Sequence, residues 1–462
     1  MRTNRPDLAP FLNPASIAVV GAGERPTSSG GAVLSMLQRA GYPRRIVPVN
    51  PKGGMIQGLA AVTSVRMISP PVDLVAVLVR PDLILDVVRE AAECGHRNVL
   101  ILPGGFAEAG AEGRQRDARL RELAREFGLT IGGPNCAGSI NLLDSEQPFA
   151  ATFFRDLPRG GGVAMISQSG ALIEEAIAAS HRLHIPLGAV VSVGNGIHLG
   201  VADYLKHFAD DPKCTVILLY MESLGDEQML AEVARAASLR KPVVALIGGR
   251  TVPGQAAAFS HTGSRAVDEH GAAEFCHRNG LLRVTNLRAL MLAGKVLGRY
   301  PKGLGKRVLL LSNSGGPGVL AADQAVDSGL QLTALSAELT QALRALLPAE
   351  ATVSNPMDLL ADAREDRFAA VLEAALRADQ FDAILMIHVV PFMVEAKAVV
   401  DEIARLARSA RIPLMHAMMG TLPDREEWFA CLEGAAVPVF DDAEDMCLAA
   451  GLAAAWAVGQ RR

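Results

Sequence analysis

Short continuous apolar runs recur along the chain, each stopped by a cluster of glycine, proline, serine or asparagine. Runs of that length, bounded by turn residues, read as strands buried on both faces. They alternate with stretches whose apolar positions fall at helical spacing, which predicts parallel sheets covered by helices. Strands are expected at 16–20, 45–49, 73–79, 98–102 and 129–131, then at 162–166, 187–193, 215–220 and 243–247. A last set falls at 308–311, 331–333, 383–387 and 413–415, with helices at about 364–378 and 393–410 and an alanine-rich helix at 451–459.

The fold class is α/β, with a Rossmann-like first domain over 1–145 and two flavodoxin-like parallel-sheet domains over 146–302 and 303–462. Residues 143–160 are turn-rich and read as a linker, and the basic stretch 300–307 reads as a hinge. The second and third domains open alike, with Ser167-Gln168-Ser169-Gly170 and Ser312-Asn313-Ser314-Gly315 each following a strand. A length of 462 residues suits three domains of ordinary size.

Composition removes several classes of function. A net charge of -4 gives no electrostatic case for nucleic acid or an anionic membrane, and 4% aromatic residues leave few platforms for stacking bases. Cys94, Cys136, Cys214, Cys276, Cys431 and Cys447 are scattered without a CxxC pair, as expected of reduced thiols in the cytoplasm. The polar start carries no secretory core, and no apolar run is long enough to span a bilayer.

Chemistry concentrates at strand ends. Gly21-Ala22-Gly23 follows the first strand, and a helix opens at Gly30-Gly31 after a polar turn that includes Ser28; free backbone N–H groups at such a start cradle anions. The spacing is not GxGxxG, and no acid ends the second strand. That strand runs into Val49-Asn50-Pro51-Lys52, where a lysine argues against NAD and for a ligand with an extra phosphate. Val79-Arg80-Pro81, Pro103-Gly104-Gly105 and Gly133-Pro134-Asn135-Cys136 end three further strands. Cys136 has no basic partner near it in sequence and reads as structural.

In the second domain, hydroxyls and glycine at Ser167–Gly170 make another anion-binding helix start. Asn195, Glu222 and the stretch 248–264 follow the other strands there. That stretch, rich in glycine and alanine, reads as a mobile loop. It carries His261, an imidazole able to act as a nucleophile near neutral pH, between Ser260 and Gly263.

Taken in order, Asn13-Pro14-x-Ser16-Ile17-Ala18-Val19-Val20-Gly21-Ala22, Pro48-Val49-Asn50-Pro51-Lys52, Gly105-Phe106-Ala107-Glu108, Gly133-Pro134-Asn135-Cys136, Ser167-Gln168-Ser169-Gly170-Ala171-Leu172, Ser260-His261-Thr262-Gly263 and Asn355-Pro356-Met357-Asp358 are specific. Over nearly its whole length the chain resembles the α subunit of NDP-forming acyl-CoA synthetases, relatives of succinyl-CoA synthetase. The resemblance implies a coenzyme A site at Gly21, Ala22, Gly23, Ser28, Val49, Asn50, Pro51, Lys52, Val79, Arg80, Pro81, Gly104, Asn135 and Cys136. It implies that His261 is transiently phosphorylated, in a reversible reaction of carboxylic acid, CoA and ATP to acyl-CoA, ADP and phosphate. Ser167, Gln168, Ser169, Gly170, Asn195, Ser260, Gly263, Gly315 and Gly316 would hold phosphate or substrate.

ATP, ADP and Mg would belong to a separate ATP-grasp β subunit, since no ATP-grasp sequence occurs here. The expected assembly is a homodimer or α2β2, with no metal on this chain. The chain departs from the family in two places here: Lys206 stands where a glutamate is expected to orient the histidine, and Gly196-Ile197-His198-Leu199-Gly200 replaces the acidic turn expected after Gly194-Asn195. Glu222, matching a second family glutamate, is the candidate to stand in as the orienting carboxylate. Two other readings remain at this point, a CoA or acyl-CoA sensor or scaffold without catalysis, and an NAD(P)-binding redox protein. The missing GxGxxG spacing and ribose acid count against the latter.

Overall fold

A computed structural model describes residues 6–262 and 267–460, apart from the side chains of residues 259–262. The chain divides into two compact units, Met1–Leu290 and Met291–Arg462. In the first, α1 (Ala9–Leu12) leads into β1 (Ser16–Val20), α2 (Ser29–Arg39), β2 (Arg45–Val49) and a small hairpin of β3 (Gly54–Ile56) and β4 (Leu59–Ala61). β5 (Leu74–Val77), α3 (Pro81–Glu93), β6 (Asn98–Ile101), α4 (Gly110–Phe127) and β7 (Thr130–Gly132) follow. All pairings in the resulting sheet are parallel, in the order β2-β1-β5-β6-β7.

The same unit holds a second sheet. It comprises β8 (Gly138–Asn141), β9 (Phe149–Thr152), β10 (Val163–Ser167), α5 (Gly170–Arg182), β11 (Leu187–Ser192), α6 (Val201–Asp210) and β12 (Val216–Met221). α7 (Glu227–Ser238), β13 (Val243–Ile247), α8 (Val252–Thr262), a helix over Glu269–Arg278 and β14 (Leu282–Val284) complete it, in the order β14-β13-β12-β10-β11-β8-β9. β10 and β13 are buried along their whole length, as runs of Val, Ala, Ile and Leu between covering helices require.

The second unit carries β15 (Arg307–Ser312), β16 (Gln331–Leu332), β17 (Met357–Asp358), β18 (Ala383–Val389), β19 (Leu414–Met419) and β20 (Val439–Phe440). They run β16-β15-β18-β19-β20, with β17 beside β15. With the two-residue β17 set aside, the parallel strands of each sheet share one order, second-first-third-fourth-fifth. Strand order therefore reverses beside the first strand in all three, and the crevice outside the carboxyl ends at that point is where such sheets bind ligands. Among the described residues no helix is long and apolar enough to cross a membrane.

Two expectations about connections are corrected. Residues 143–160 are not a plain linker, because Phe149–Thr152 is a fully buried strand antiparallel to β8 that closes the sheet edge. Four residues are too few to show a period, and the flanking turn residues masked them. Nor is 300–307 a free hinge. The Tyr300 hydroxyl donates to the carbonyls of Leu414 and Ala436, both at 3.0 Å, and Arg307 pairs with Asp382 at 2.7 Å. Those two acceptors satisfy the half-buried Tyr300 hydroxyl, so the stretch is anchored.

Candidate functional site

At the first switch point the chain leaves β1 through Gly21, whose φ of +91° only glycine takes without strain. The start of α2 presses onto this turn: a Cβ built on Gly30 would lie 2.0 Å from the Gly21 carbonyl oxygen. Ser28 caps α2, its Oγ accepting the Gly31 N–H at 3.3 Å and donating to the Arg25 carbonyl at 2.8 Å. Asn50 ties the end of β2 to the same turn. Its Nδ2 donates to the Ala22 carbonyl at 2.8 Å, while its Oδ1 accepts the Lys52 N–H at 2.9 Å. Beside these turns lies a cleft of about 490 Å³ whose lining includes Gly21, Val49, Pro51 and Val79. Lys52 is exposed, and the Gly23 carbonyl is taken by the Gln57 amide at 3.0 Å.

A larger cleft of about 770 Å³ opens beside the first. Val79, Arg80, Gly104, Asn135 and Cys136 line it from the first sheet, and Gln168, Ser169 and Gly170 from the second. Residues expected to hold the cofactor and residues expected to hold phosphate thus share one cavity. Pro81 opens α3 at its edge, and the exposed Arg80 pairs with Asp82 at 3.0 Å. Cys136 is buried, and burial pushes its thiol up to about 12. The neutral thiol donates to the Ile101 carbonyl at 3.3 Å, so it is a packing group and not a nucleophile. Phe153, Phe154 and Glu174 also line the cavity. Sequence reasoning missed them because the two phenylalanines directly follow the hidden strand β9.

The second switch point lies between β10 and β12. The Ser167 hydroxyl accepts the Ser169 N–H at 3.0 Å and donates to the Ser169 carbonyl at 2.7 Å, making a tight turn. Gln168 spans the crevice. Its Oε1 accepts the N–H groups of Glu222 at 2.6 Å and Ser223 at 3.1 Å, and its Nε2 donates to the Ser223 carbonyl at 3.2 Å. Glu222 is buried, at 7% exposure, and accepts the Tyr220 hydroxyl at 3.1 Å. Burial, followed by the Glu222 charge, holds the Tyr220 hydroxyl well above its ordinary pKa, so it stays a donor. Ser169 makes no side-chain capping bond to α5. The leading N–H groups of that helix, at cleft-lining Gly170 and Ala171, therefore have no intrahelical acceptor and carry the positive end of the dipole.

The stretch read as a loop is helical from Val252. Thr251 starts the helix, its Oγ1 accepting the Gly254 N–H at 3.2 Å and its carbonyl accepting the Gln255 N–H at 2.8 Å. Pro253 in the first turn and three successive alanines then favour helix over loop. His261 falls in the last turn of α8. The side chains of Ser260 and His261, and Gly263 altogether, lie outside the described residues.

Lys206 lies on α6. It is half-exposed and paired with Asp210 one turn on, at 2.5 Å, and Asp210 also pairs with Arg240. None of these bonds joins it to Gln168 or Glu222. Asn195 is brought to the cleft side, its N–H donating to the Pro134 carbonyl at 2.9 Å and its Nδ2 to Glu108 at 2.6 Å. Gly315 and Gly316 open a helix in the second unit on a copy of the Ser167 turn. There Ser312 Oγ accepts the Ser314 N–H at 3.0 Å, and Asn313 exchanges two hydrogen bonds with Val389 across the switch point, at 2.8 and 2.9 Å. No cluster of three His, Cys, Asp or Glu suited to a metal occurs among the described residues.

Three family models fit this architecture: a CoA binding domain over residues 15–141, a succinyl-CoA ligase-like flavodoxin domain over 160–297 and a ligase-CoA domain over 308–457. Together with the shared cleft they define a protein of the CoA-ligase class. The α subunit of ADP-forming acetate–CoA ligase II from Pyrococcus furiosus is 32% identical over 446 residues, covering 95% of this chain and 96% of that one. ADP-forming acetate–CoA ligase I of Archaeoglobus fulgidus is 34% identical over 421 residues, of which the match takes in 87% of this chain but 60% of that longer protein. Among solved structures, a dinucleotide-forming acetyl-coenzyme A synthetase 1 of Ca. Korarchaeum cryptofilum, in complex with phosphate and ADP, superposes with a TM-score of 0.90. It is 29% identical, with 98% of each chain covered. The chain belongs to the NDP-forming acyl-CoA synthetase family and is similar throughout to its α subunits.

Proposed function

We propose that this chain is the CoA-binding, phosphohistidine-carrying α subunit of an ADP-forming acyl-CoA synthetase, completed by an ATP-grasp β subunit that holds ATP or ADP with Mg. The single observation that supports this reading is the 770 Å³ cleft, in which the turn residues Gly104 and Asn135 face the open start of α5. The nucleotide end of CoA lies along Gly21–Gly23, Ser28 and Val49–Lys52, with the lysine near its extra phosphate. The pantetheine arm passes Val79, Arg80 and Pro81 to reach Gly104, Asn135 and Cys136.

In the synthetic direction a carboxylate oxygen attacks phosphorus on phospho-His261, and the imidazole leaves with the P–N electron pair. The CoA thiolate then attacks the acyl carbon, and inorganic phosphate departs with the C–O pair. The first N–H groups of α5 stabilise the charge on the phosphoryl oxygens, with Ser167, Gln168, Ser169 and Gly170 shaping that cradle. Glu222 accepts the imidazole N–H and so sets which ring nitrogen is free to carry phosphate. The acid is a small carboxylic acid.

The test uses the chain with its β partner and ATP labelled in the γ position. Acid-labile, alkali-stable label on the wild-type chain, absent from His261→Ala, is the expected result. Label that survives His261→Ala overturns the phosphohistidine assignment, and CoA binding without any label identifies a CoA-binding sensor instead.

A further inference from the structure

Glu108 lies on a short 3-10 turn, Ala107–Ala109, and none of the cofactor roles above uses it. One carboxylate oxygen, Oε1, accepts the backbone N–H groups of Gly105 at 2.6 Å and Phe106 at 3.1 Å. The other, Oε2, accepts Asn195 Nδ2 at 2.6 Å. Asn195 Oδ1 in turn accepts Asn135 Nδ2 at 3.2 Å. Burial opposes the charge on Glu108, but the Asn195 amide and the backbone N–H groups outweigh it and hold the carboxyl below its ordinary range.

This chain of bonds has a direction that chemistry dictates. An ionised carboxylate can only accept, so Asn195 must turn its NH2 toward Glu108 and its oxygen toward Asn135. Asn135 must then turn its NH2 toward Asn195, which leaves its Oδ1 on the other side. That oxygen stands beside Gly104, where an added Cβ would come within 3.1 Å of it and 2.9 Å of Glu108 Oε1. Gly104 and Asn135 both line the larger cleft. Asn135 is itself held at a φ of +57°, and the Asn195 N–H is bonded to the Pro134 carbonyl, so the two amides have little freedom to drift.

We infer that Glu108 is a positioning residue, which through Asn195 fixes the amide of Asn135 so that its carbonyl oxygen faces the cleft and accepts a hydrogen-bond donor, an amide N–H or the thiol, of the pantetheine arm. The inference rests on the proposed CoA site. Glu108→Gln tests it with almost no change of shape. A glutamine must keep its one oxygen on the Gly105 and Phe106 N–H groups, so its NH2 faces Asn195. The amides of Asn195 and Asn135 then both invert, and the cleft receives an NH2 in place of an acceptor.

Calorimetric titration of the full chain should show CoA bound about tenfold more weakly by Glu108→Gln, a loss of the size expected for one mismatched hydrogen bond. Adenosine 3′,5′-bisphosphate, which lacks the pantetheine arm, should bind both proteins equally. Asn135→Gly, which suits the positive φ, should show the same loss, and adding Glu108→Gln to it should cost nothing more. Unchanged CoA affinity in Glu108→Gln, or an equal loss for both ligands, overturns the relay. Failure of the wild-type chain to bind either ligand overturns the CoA site itself. Should Glu108→Gln fail to fold, undiminished CoA affinity in Asn135→Gly is by itself enough to sink the inference.

Discussion

Gln168 grips Glu222 by the backbone: the glutamine Oε1 accepts the Glu222 N–H at 2.6 Å across the point where β10 and β12 part. The same oxygen takes the Ser223 N–H, so one side chain fixes the direction in which the buried carboxylate leaves its strand. Gln168→Leu keeps the bulk but strands two backbone donors, at about 1–3 kcal/mol each when buried. With the β partner present, turnover should fall by about 10- to 100-fold, while the KM for CoA moves by less than about twofold. Steady-state kinetics check this, and unaltered turnover would mean that Glu222 is held by other means.

Lys206 should be silent in phosphoryl transfer. Its ammonium is committed to Asp210 on the solvent side of α6. Lys206→Ala is expected to leave the rate of His261 labelling unchanged, and exposed pairs of this kind stabilise by roughly 0.3–0.5 kcal/mol. Lys206→Glu sets a like charge one turn from Asp210 and should lower the denaturant midpoint by a similar amount of stability. A labelling rate that drops in Lys206→Ala would return the lysine to the reaction.

The second unit carries an acid-sensitive pair. His388 on β18 and His416 on β19 are fully buried, 6.0 Å apart between ring centroids, and neither ring nitrogen of either one has a hydrogen-bond partner. Burial lowers His388 to about 4, and burial together with His388 lowers His416 well below its ordinary value. Both are neutral when folded, whereas the unfolded chain protonates near pH 6.5. The unfolded state thus binds more protons below that pH. Stability is complete above about pH 6.5 and falls as pH drops toward 4, on the order of 3 kcal/mol for His388 alone. Calorimetric melting at pH 7 and pH 5 should show a transition that moves down in acid and that His388→Phe renders less pH-dependent; equal shifts in both proteins would refute it.

Much of the frame was legible because buried parallel strands are nearly pure apolar runs and their ends carry glycine. The turns at Gly21, Ser167 and Ser312 follow from that pattern, and the likeness of Ser167-Gln168-Ser169 to Ser312-Asn313-Ser314 extends to their hydrogen bonds. Glu222 was visible as an acid ending a strand. Three features were not. Helix α8 was hidden because glycine and hydroxyl residues near a helix start look like a loop until the Thr251 cap is seen. Lys206 was placed by alignment alone, which says nothing of the Asp210 partner. The Glu108–Asn195–Asn135 relay joins residues 87 and 60 positions apart, beyond the reach of any local pattern.

The backbone of residues 195–199 is laced to that of 131–134. Asn195, Ile197 and Leu199 donate in succession to Pro134, Gly133 and Ile131, at 2.9, 3.3 and 3.2 Å. A truncation placed at the obvious turn near Asp144 would sever this lacing and strand β8 on the wrong fragment, leaving three carbonyls facing water on one piece and three amides on the other. Proteolysis or gene splitting between the two sheets would therefore yield neither a clean nucleotide-binding fragment nor a clean ligase fragment, because each piece would lack backbone partners that the other supplies.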